Sequence, residues 1–152
     1  MAPQDSRTEL ATLNRVLIDT GPLVAYLDGG DSAHAGVARF LDSFHGQLLT
    51  SSAVITEAMY FAAGNPDGPR FLSELVAASE MEVYNVSRPP ELHEAVTLME
   101  RYSDVPMDFA DATLLLLAEG LDMHEILTLD RRGFSAYRTR ENRPLQMNLD
   151  LT

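Results

Sequence analysis

Apolar runs and amphipathic stretches alternate along this chain, and the alternation predicts a mixed α/β fold. Val16-Leu17-Ile18 and Ile126-Leu127 are apolar without a period of two, which is typical of strands buried on both faces of a parallel sheet. Between such runs apolar residues recur at helical spacing, and turns with Gly, Pro and Asn separate the segments. The predicted strands cover residues 15–19, 47–50, 81–86, 125–129 and 145–149. The predicted helices cover residues 23–27, 32–44, 52 to about 63, 69–79, 90–102 and 107–118.

The order of these elements predicts the topology and the domain organisation. Strands that alternate with helices are typical of a parallel sheet with right-handed crossovers, covered by helices as a three-layer α/β sandwich. In such folds ligands bind outside the carboxyl ends of the strands. We expect one domain over residues 15–152, because no repeat, linker or low-complexity tract interrupts the pattern. Residues 1–14 are polar and mixed, and we expect a flexible tail there.

Two aspartates come directly after apolar strands. Asp19 ends the first predicted strand and Asp130 ends the fourth, so both should lie at the crevice where ligands bind. The neighbouring hydroxyls of Thr20 and Thr128 are candidates to orient these carboxylates. Asp and Thr are also common where a strand ends, so a structural turn is the alternative at both places.

Another carboxylate lies among apolar residues of a helix. Val54, Glu57, Ala58 and Phe61 follow the i, i+3, i+4, i+7 spacing, so the stripe that should face the core contains a glutamate. A structural glutamate would be better placed on the polar face. This position therefore favours a functional interpretation over a buried ion pair.

Asp108 and Asp111 are three residues apart and share one face at the start of the most apolar helix. Helix starts favour anions, and Asp is a common cap, so capping is a serious alternative for Asp108. Capping is a weaker alternative for Asp111, because it is embedded in an apolar helix that should be buried: Phe109-Ala110 precedes it and Leu114 to Leu117 follow.

The joint pattern of these carboxylates is more specific than any one of them. Like charges repel and lose water when they are gathered in a place of low dielectric, at a cost of several kcal/mol. A hard divalent cation such as Mg²⁺ or Mn²⁺ is the usual way to neutralise them. The sequence therefore indicates metal-dependent phosphate chemistry.

Charge alone would argue against a nucleic-acid partner. The chain of 152 residues has a formal net charge of −12, and phosphate contacts normally need Lys and Arg. A bound cation would reverse the sign locally, however. The basic residues are also unevenly distributed along the chain, since several arginines follow Asp130 closely, starting with Arg131 and Arg132. These two are the candidates to hold a nucleic-acid backbone, and a solvated C-terminal segment is the alternative.

Composition excludes several other kinds of site. The chain has no cysteine, which excludes disulfides, thiolate metal sites and cysteine nucleophiles. It also has no lysine, which a phosphorylation receiver would need late in the sheet, and no Gly-rich phosphate loop. A haloacid-dehalogenase-type phosphatase would have Asp where Gly21 stands. With no signal-peptide pattern and no run of 18 apolar residues, we expect a cytoplasmic protein without a membrane span.

The motifs, in this order, resemble those of the PIN-domain nucleases, and particularly the VapC-type toxins of bacterial toxin–antitoxin pairs. The resemblance covers about residues 15 to 149. The matching pieces are Leu17-Ile18-Asp19-Thr20-Gly21-Pro22-Leu23, Thr56-Glu57, Met107-Asp108-Phe109-Ala110-Asp111-Ala112, and Leu127-Thr128-Leu129-Asp130 followed by Phe134.

The resemblance implies a PIN-like three-layer sandwich whose acidic pocket binds Mg²⁺ or Mn²⁺ and cleaves RNA endonucleolytically. By position, the catalytic and metal-holding carboxylates are Asp19, Glu57, Asp111 and Asp130. Asp108 is either an extra ligand, an orienting group or a helix cap. The resemblance also implies a cognate antitoxin and a homodimer.

Three alternatives to the toxin interpretation remain open from sequence. A non-cleaving RNA- or partner-binding module could use the same fold, although intact carboxylates argue against it. A stand-alone nuclease would need no antitoxin. A DNA-directed nuclease could use the same metal site, because the metal chemistry suits either backbone.

Overall fold

The computed structural model describes residues 14–149, which form one parallel sheet with helices packed against it. The strands are β1 (Asn14–Ile18), β2 (Gly46–Ser51), β3 (Glu82–Tyr84), β4 (Glu125–Leu127) and β5 (Gln146–Met147). The helices are α1 (Thr20–Leu27), α2 (His34–Ser43), α3 (Ser52–Ala62), α4 (Gly68–Ala78), α5 (Pro89–Arg101), α6 (Phe109–Gly120) and α7 (Arg131–Ala136). The strand order is β3-β2-β1-β4-β5, and every pairing is parallel. The predicted α/β class is therefore confirmed.

The central strand carries the most buried part of the sequence. Val16, Leu17 and Ile18 of β1 are at most 1% exposed, because neighbouring strands pair with both edges and helices cover both faces. The chain leaves the sheet directly after Ile18, where the Asp19 amide still donates to the Leu127 carbonyl at 3.0 Å. This last contact places Asp19 beside the end of β4, at the carboxyl edge of the sheet.

A pair of buried hydroxyls joins α3 to α6. Ser51 caps α3 by accepting from the Val54 amide at 3.2 Å, and its oxygen lies 2.7 Å from the Thr113 hydroxyl of α6. The Thr113 hydroxyl donates to the Ala110 carbonyl at 2.6 Å, so Ser51 is the donor within the pair. The pair fixes the N-terminal halves of both helices against each other, and these halves carry Glu57 and Asp111.

The structure differs from the sequence prediction around residue 130. β4 ends at Leu127 instead of 129, because Asp130 turns away to cap α7, a short helix that the hydrophobic pattern did not predict. Its six residues are too few for a helical period to be recognised in sequence.

Two other predictions need correction or lie outside the described residues. On α3, Val54 and Ala58 face the core as predicted, but Phe61 is 55% exposed, so the apolar stripe turns outward at its end. Asn14, which the prediction assigned to the tail, begins β1, while the rest of the predicted tail and residues 150–152 lie outside the described part. Within residues 14–149, no helix has the length and apolarity that a bilayer crossing requires.

Replacing Thr113 by valine should lower the free energy of unfolding by about 1–3 kcal/mol, because the buried Ser51 hydroxyl then has no acceptor. Urea unfolding monitored by circular dichroism measures this loss. The control is Thr97→Val on α5, which removes an exposed hydroxyl bonded only to the His93 carbonyl. The control should cost less than about 0.5 kcal/mol. Equal losses in the two variants would show that the hydroxyl pair does not hold the helices together.

Candidate active site

Every carboxylate singled out in the sequence lines one open cleft of about 740 Å³ at the carboxyl edge of the sheet. The set comprises Asp19, Glu57, Asp108, Asp111 and Asp130. Asp31 also lines the cleft and was missed, because it falls in a turn after α1 that carries no helical or strand pattern. Its carboxylate accepts from the Ala33 amide at 2.8 Å, which is an ordinary turn contact. The described lining contains no Arg or His side chain.

Asp19 is the most deeply buried of these carboxylates, with 7% of its surface exposed. One oxygen accepts from the Thr20 amide at 2.7 Å, and the other accepts from the Thr128 hydroxyl at 2.8 Å. Burial raises the pKa of Asp19, and the two hydrogen bonds oppose this shift without cancelling it. The carboxylate is thus held in one orientation in a place where its charge is costly.

Thr128 connects the two strand-end aspartates. Its hydroxyl donates to Asp19 and accepts from the Asp130 amide at 3.0 Å. The Asp130 carboxylate in turn accepts from the Gly133 amide at 2.9 Å and so caps α7. Gly133 is required there, because a Cβ at this position would lie 2.3 Å from the Asp130 carboxylate oxygen.

Asp108 and Asp111 cap α6 reciprocally. The Asp108 carboxylate accepts from the Asp111 amide at 2.8 Å, and the Asp111 carboxylate accepts from the Asp108 amide at 3.2 Å. Asp108 is therefore a helix cap, as its sequence alternative proposed, and it also lines the cleft. Burial, followed by the charges of Asp19 and Asp108, raises the pKa of Asp111 to about 8.

Glu57 faces these aspartates from α3 and is half-buried. Burial raises the pKa of the Glu57 carboxyl, and the charges of Asp108 and Asp19 raise it further. Within residues 14–149, no backbone amide donates to this carboxylate, so Glu57 differs from the four aspartates on the other elements. Its side chain is longer than that of aspartate and is not held by a backbone donor, so its carboxylate can change position more easily than those of the four aspartates.

The hydroxyl of Thr20 is buried and has no partner of good hydrogen-bond geometry among the described residues, although it lies near enough to Glu57 to lower the pKa of that carboxyl. Thr20 is 6% exposed and lines the cleft beside Asp19. Its backbone amide holds the Asp19 carboxylate, so the contact expected of its hydroxyl is made by the Thr128 hydroxyl instead. A buried hydroxyl without a partner costs stability unless something else satisfies it.

The donors of the cleft fit a hard divalent cation. All of them are oxygens, several carboxyls have raised pKa values through burial and mutual repulsion, and an unsatisfied hydroxyl adjoins them. Among residues 14–149, no three acidic or histidine side chains converge closely enough to surround one ion. The chemistry of the donors therefore matches Mg²⁺ or a similar ion, and their arrangement would have to tighten to bind it.

Tyr137 supports one wall of the cleft and was missed by the sequence analysis. Its hydroxyl donates to the Pro106 carbonyl at 2.6 Å, and Pro106 with Met107 leads into the capped start of α6. Burial and the nearby Asp111 raise the pKa of Tyr137. No pattern marks this tyrosine, because the residues it joins are 31 positions apart.

The two arginines proposed to hold RNA start α7, directly after Asp130. Arg131 donates to the Leu149 carbonyl at 2.5 Å and so ties down the C-terminal segment. Arg132 is exposed, and its guanidinium makes no hydrogen bond or ion pair with the described residues, while its backbone carbonyl accepts from the Ser135 hydroxyl. Farther along, Arg140 pairs with Glu94 and Glu119, so part of the basic segment serves the fold.

Comparison with known proteins identifies the family. The model of the PIN domain family matches residues 16–139. Ribonuclease VapC26 of Mycobacterium tuberculosis is 34% identical over 125 residues, which are 81% of this chain and 92% of that protein.

Two solved structures share the fold. VapC20 of Mycobacterium tuberculosis, a toxin that cleaves the sarcin–ricin loop, superposes with a TM-score of 0.68 at 19% identity, over 80% of this chain and 94% of that chain. VapBC2 from Rickettsia felis, bound to a DNA fragment from its promoter, gives a TM-score of 0.57 at 13% identity, over 90% of this chain and 100% of that chain. At these identities the likeness concerns the fold alone. The sequence matches extend over most of the chain, and the chain belongs to the PIN domain family, among its VapC-type members.

Proposed function

We propose that this protein is a divalent-metal-dependent endoribonuclease that hydrolyses RNA phosphodiester bonds and acts as the toxin of a toxin–antitoxin pair. The observation that carries the proposal is the single cleft that six carboxylates and the buried Thr20 hydroxyl line, with no cationic side chain in its described lining. Such a set of donors needs a cation, and a divalent cation at a sheet edge suits phosphate chemistry.

The comparisons support the RNA and the toxin parts of the proposal. The relative that shares 34% identity is a ribonuclease, and VapC20, which has the same fold, is a toxin that cleaves the sarcin–ricin loop. The VapBC2 structure is of a VapBC pair on promoter DNA, which supports a cognate antitoxin for this chain. We also propose a homodimer, a cytoplasmic location where RNA is accessible, and a single domain from residue 15 onward.

In the proposed mechanism, Asp19, Glu57, Asp111 and Asp130 hold Mg²⁺ or Mn²⁺, with Asp108 at the edge of the site. The ion would lower the pKa of water and neutralise charge on the phosphate. Thr128 keeps Asp19 in one orientation, and the capping hydrogen bonds do the same for Asp111 and Asp130. No side-chain nucleophile is needed, which suits a chain without cysteine. Glu57 adjusts to complete the set around the substrate.

Genome context separates the toxin from a stand-alone nuclease. A small open reading frame beside this one, with a DNA-binding pattern and a product that binds and inhibits this protein, is what the toxin interpretation requires. A nuclease without such a neighbour would keep the chemistry of the site and lose the antitoxin part of the proposal.

Asp111→Asn should reduce metal-dependent RNA cleavage by more than about 100-fold, because it removes a negative ligand and keeps the shape and the capping acceptor. The measurement is cleavage of a structured RNA and of a matched single-stranded DNA by purified protein, with Mg²⁺, Mn²⁺ or EDTA. Preferential cleavage of DNA would redirect the proposal to a DNA nuclease.

The matched control is Asp104→Asn, which neutralises an exposed aspartate outside the cleft lining. It should cleave within about twofold of wild type. Equal cleavage by Asp111→Asn and wild type would remove the metal-site assignment. Absence of both metal binding and cleavage would favour the non-cleaving module, whereas metal binding without cleavage would indicate a nuclease that requires another substrate.

Without metal, the acidic cleft should make the fold less stable as pH rises. The folded-state pKa of Asp111 is raised, so folding favours its protonated form, and that stability is present near pH 4 and lost as pH rises through about 8. In EDTA at pH 8, Asp111→Asn should therefore be more stable than wild type by at least about 1 kcal/mol. Mg²⁺ should raise the melting temperature of wild type and not of the variant. A wild-type stability that rises with pH relative to Asp111→Asn would contradict this electrostatic account.

Arg132→Ala should weaken RNA binding and reduce the slope of log affinity against log salt by about 0.7, the value for one lost phosphate contact on a single strand. Arg132 is the sharper test of the two arginines, because Arg131 also holds the Leu149 carbonyl. Fluorescence anisotropy of labelled RNA at several salt concentrations gives the slope, with Arg39→Ala on α2 as an exposed control. An unchanged slope for Arg132→Ala would leave the RNA-binding role without support.

A further inference from the structure

We propose that a groove beside the acidic cleft is a nucleobase subsite, in which the exposed ring of Phe61 stacks on an unpaired base next to the scissile phosphate. The inference rests on the proposed function and deepens it, because it names the part of the RNA that the protein holds by its bases.

The groove is continuous with the cleft. It has a volume of about 690 Å³ and lies between α3, the segment after β3 and the start of α6. Glu57, Phe61 and Asp108 line both the groove and the cleft. A nucleotide whose phosphate sits at the carboxylates therefore has the groove next to it, and this volume is ample for a base and its ribose.

Away from the shared edge, the groove offers neutral hydrogen-bonding groups. These are the side chains of Ser52, Thr56, Asn85 and Ser87. The Ser52 hydroxyl donates to the amide oxygen of Asn85 at 3.2 Å, so the amide nitrogen of Asn85 is left without an acceptor among the described residues. Neutral donors and acceptors of this kind can form hydrogen bonds with the edges of bases.

Two exposed aromatic rings form the outer wall. Tyr60 is 79% exposed and Phe61 is 55% exposed, although both are large and largely apolar. Their centroids lie 5.5 Å apart at an interplanar angle of 76°, so the edge of one ring supports the face of the other. A ring that is already braced loses little freedom when a base stacks on it.

Continuity with the acidic cleft, and not charge, favours an RNA base as the occupant of this groove. The protein carries a net charge of −12, and the described lining of the cleft and the groove contains no Arg or His. The phosphate backbone therefore gains no attraction from side chains in the lining, and cations, stacking and neutral hydrogen bonds must supply the affinity. A strand of RNA is also the occupant that extends naturally from the carboxylates into a neighbouring groove.

The experiment compares Phe61→Leu, which removes the aromatic face and keeps an apolar side chain, with Phe61→Tyr, which keeps the face. Phe71→Leu is the matched control, because Phe71 is 46% exposed on α4 and lines neither the cleft nor this groove. The probes are a labelled single-stranded RNA of 12 nucleotides and an abasic ribose-phosphate strand of the same length. Binding is measured by anisotropy with Ca²⁺ in place of Mg²⁺ to slow cleavage, and cleavage is measured with Mg²⁺.

Phe61→Leu should weaken binding of the base-bearing RNA roughly tenfold, the usual effect of losing one stacked base. It should bind the abasic strand like wild type, and in cleavage it should raise KM with kcat within about threefold. Phe61→Tyr and Phe71→Leu should both bind the RNA within about twofold of wild type.

Several outcomes would overturn the inference, and they are distinguishable from failure of the proposed function. Wild-type RNA affinity in Phe61→Leu, with RNA still cleaved, would remove the subsite and leave the ribonuclease in place. Equal weakening for the abasic strand would show that the ring does not act by stacking. Unchanged RNA affinity together with a lost dimer would make this groove a contact between two copies of the chain. Absence of RNA binding and cleavage by wild type would overturn both proposals.

Discussion

Repulsion among carboxylates at one edge of a parallel sheet is the constraint on which the rest of this site depends. Asp19, Glu57 and Asp111 all have raised pKa values, with burial as the first cause and neighbouring carboxylates as a further one. No cationic side chain in the described lining offsets this charge. The folded protein therefore holds an unfavourable cluster that a cation would relieve.

Backbone amides, and not cationic side chains, offset part of the negative charge of these carboxylates. Asp19, Asp108 and Asp130 are the N-caps of α1, α6 and α7, so three helices begin at the cleft with their amide ends toward it. Amide donors and the positive ends of helices favour negative charge. The same residues that make the cleft acidic thus start the helices that enclose it, which ties the chemistry of the site to the folding of its walls.

The sequence predicted those parts of the molecule that depend on local pattern. The buried strands appeared as apolar runs, and the strand-end position of Asp19 followed from the end of such a run. Asp111 stood out because a carboxylate among apolar residues of a helix is unusual, and the structure shows that it also caps α6 by accepting from the Asp108 amide. The resemblance to the PIN-domain nucleases implied that these positions belong to one acidic pocket that binds a metal ion. Spacing alone did not supply this.

What the sequence could not predict depends on contacts between distant residues or on very short elements. The bond from Tyr137 to the Pro106 carbonyl and the hydroxyl pair of Ser51 and Thr113 join separate elements, and no periodicity records them. α7 is shorter than two helical turns, and the outward position of Phe61 depends on where neighbouring helices stop covering α3. In each case the observed contact or conformation depends on tertiary packing, which leaves no recognisable pattern in a single sequence.

The Thr128 hydroxyl bridge has a mechanical consequence. Because one hydroxyl holds Asp19 and the Asp130 amide together, the spacing on that side of the cleft is set by the sheet and not by side-chain rotation. Glu57, across the cleft, has no such backbone anchor among the described residues and several rotatable bonds. The side of the cleft with Asp19 and Asp130 is therefore rigid, and the side formed by α3 is held less tightly. The position of the carboxylate is therefore least constrained on the α3 side of the cleft, where no backbone amide holds it among the described residues.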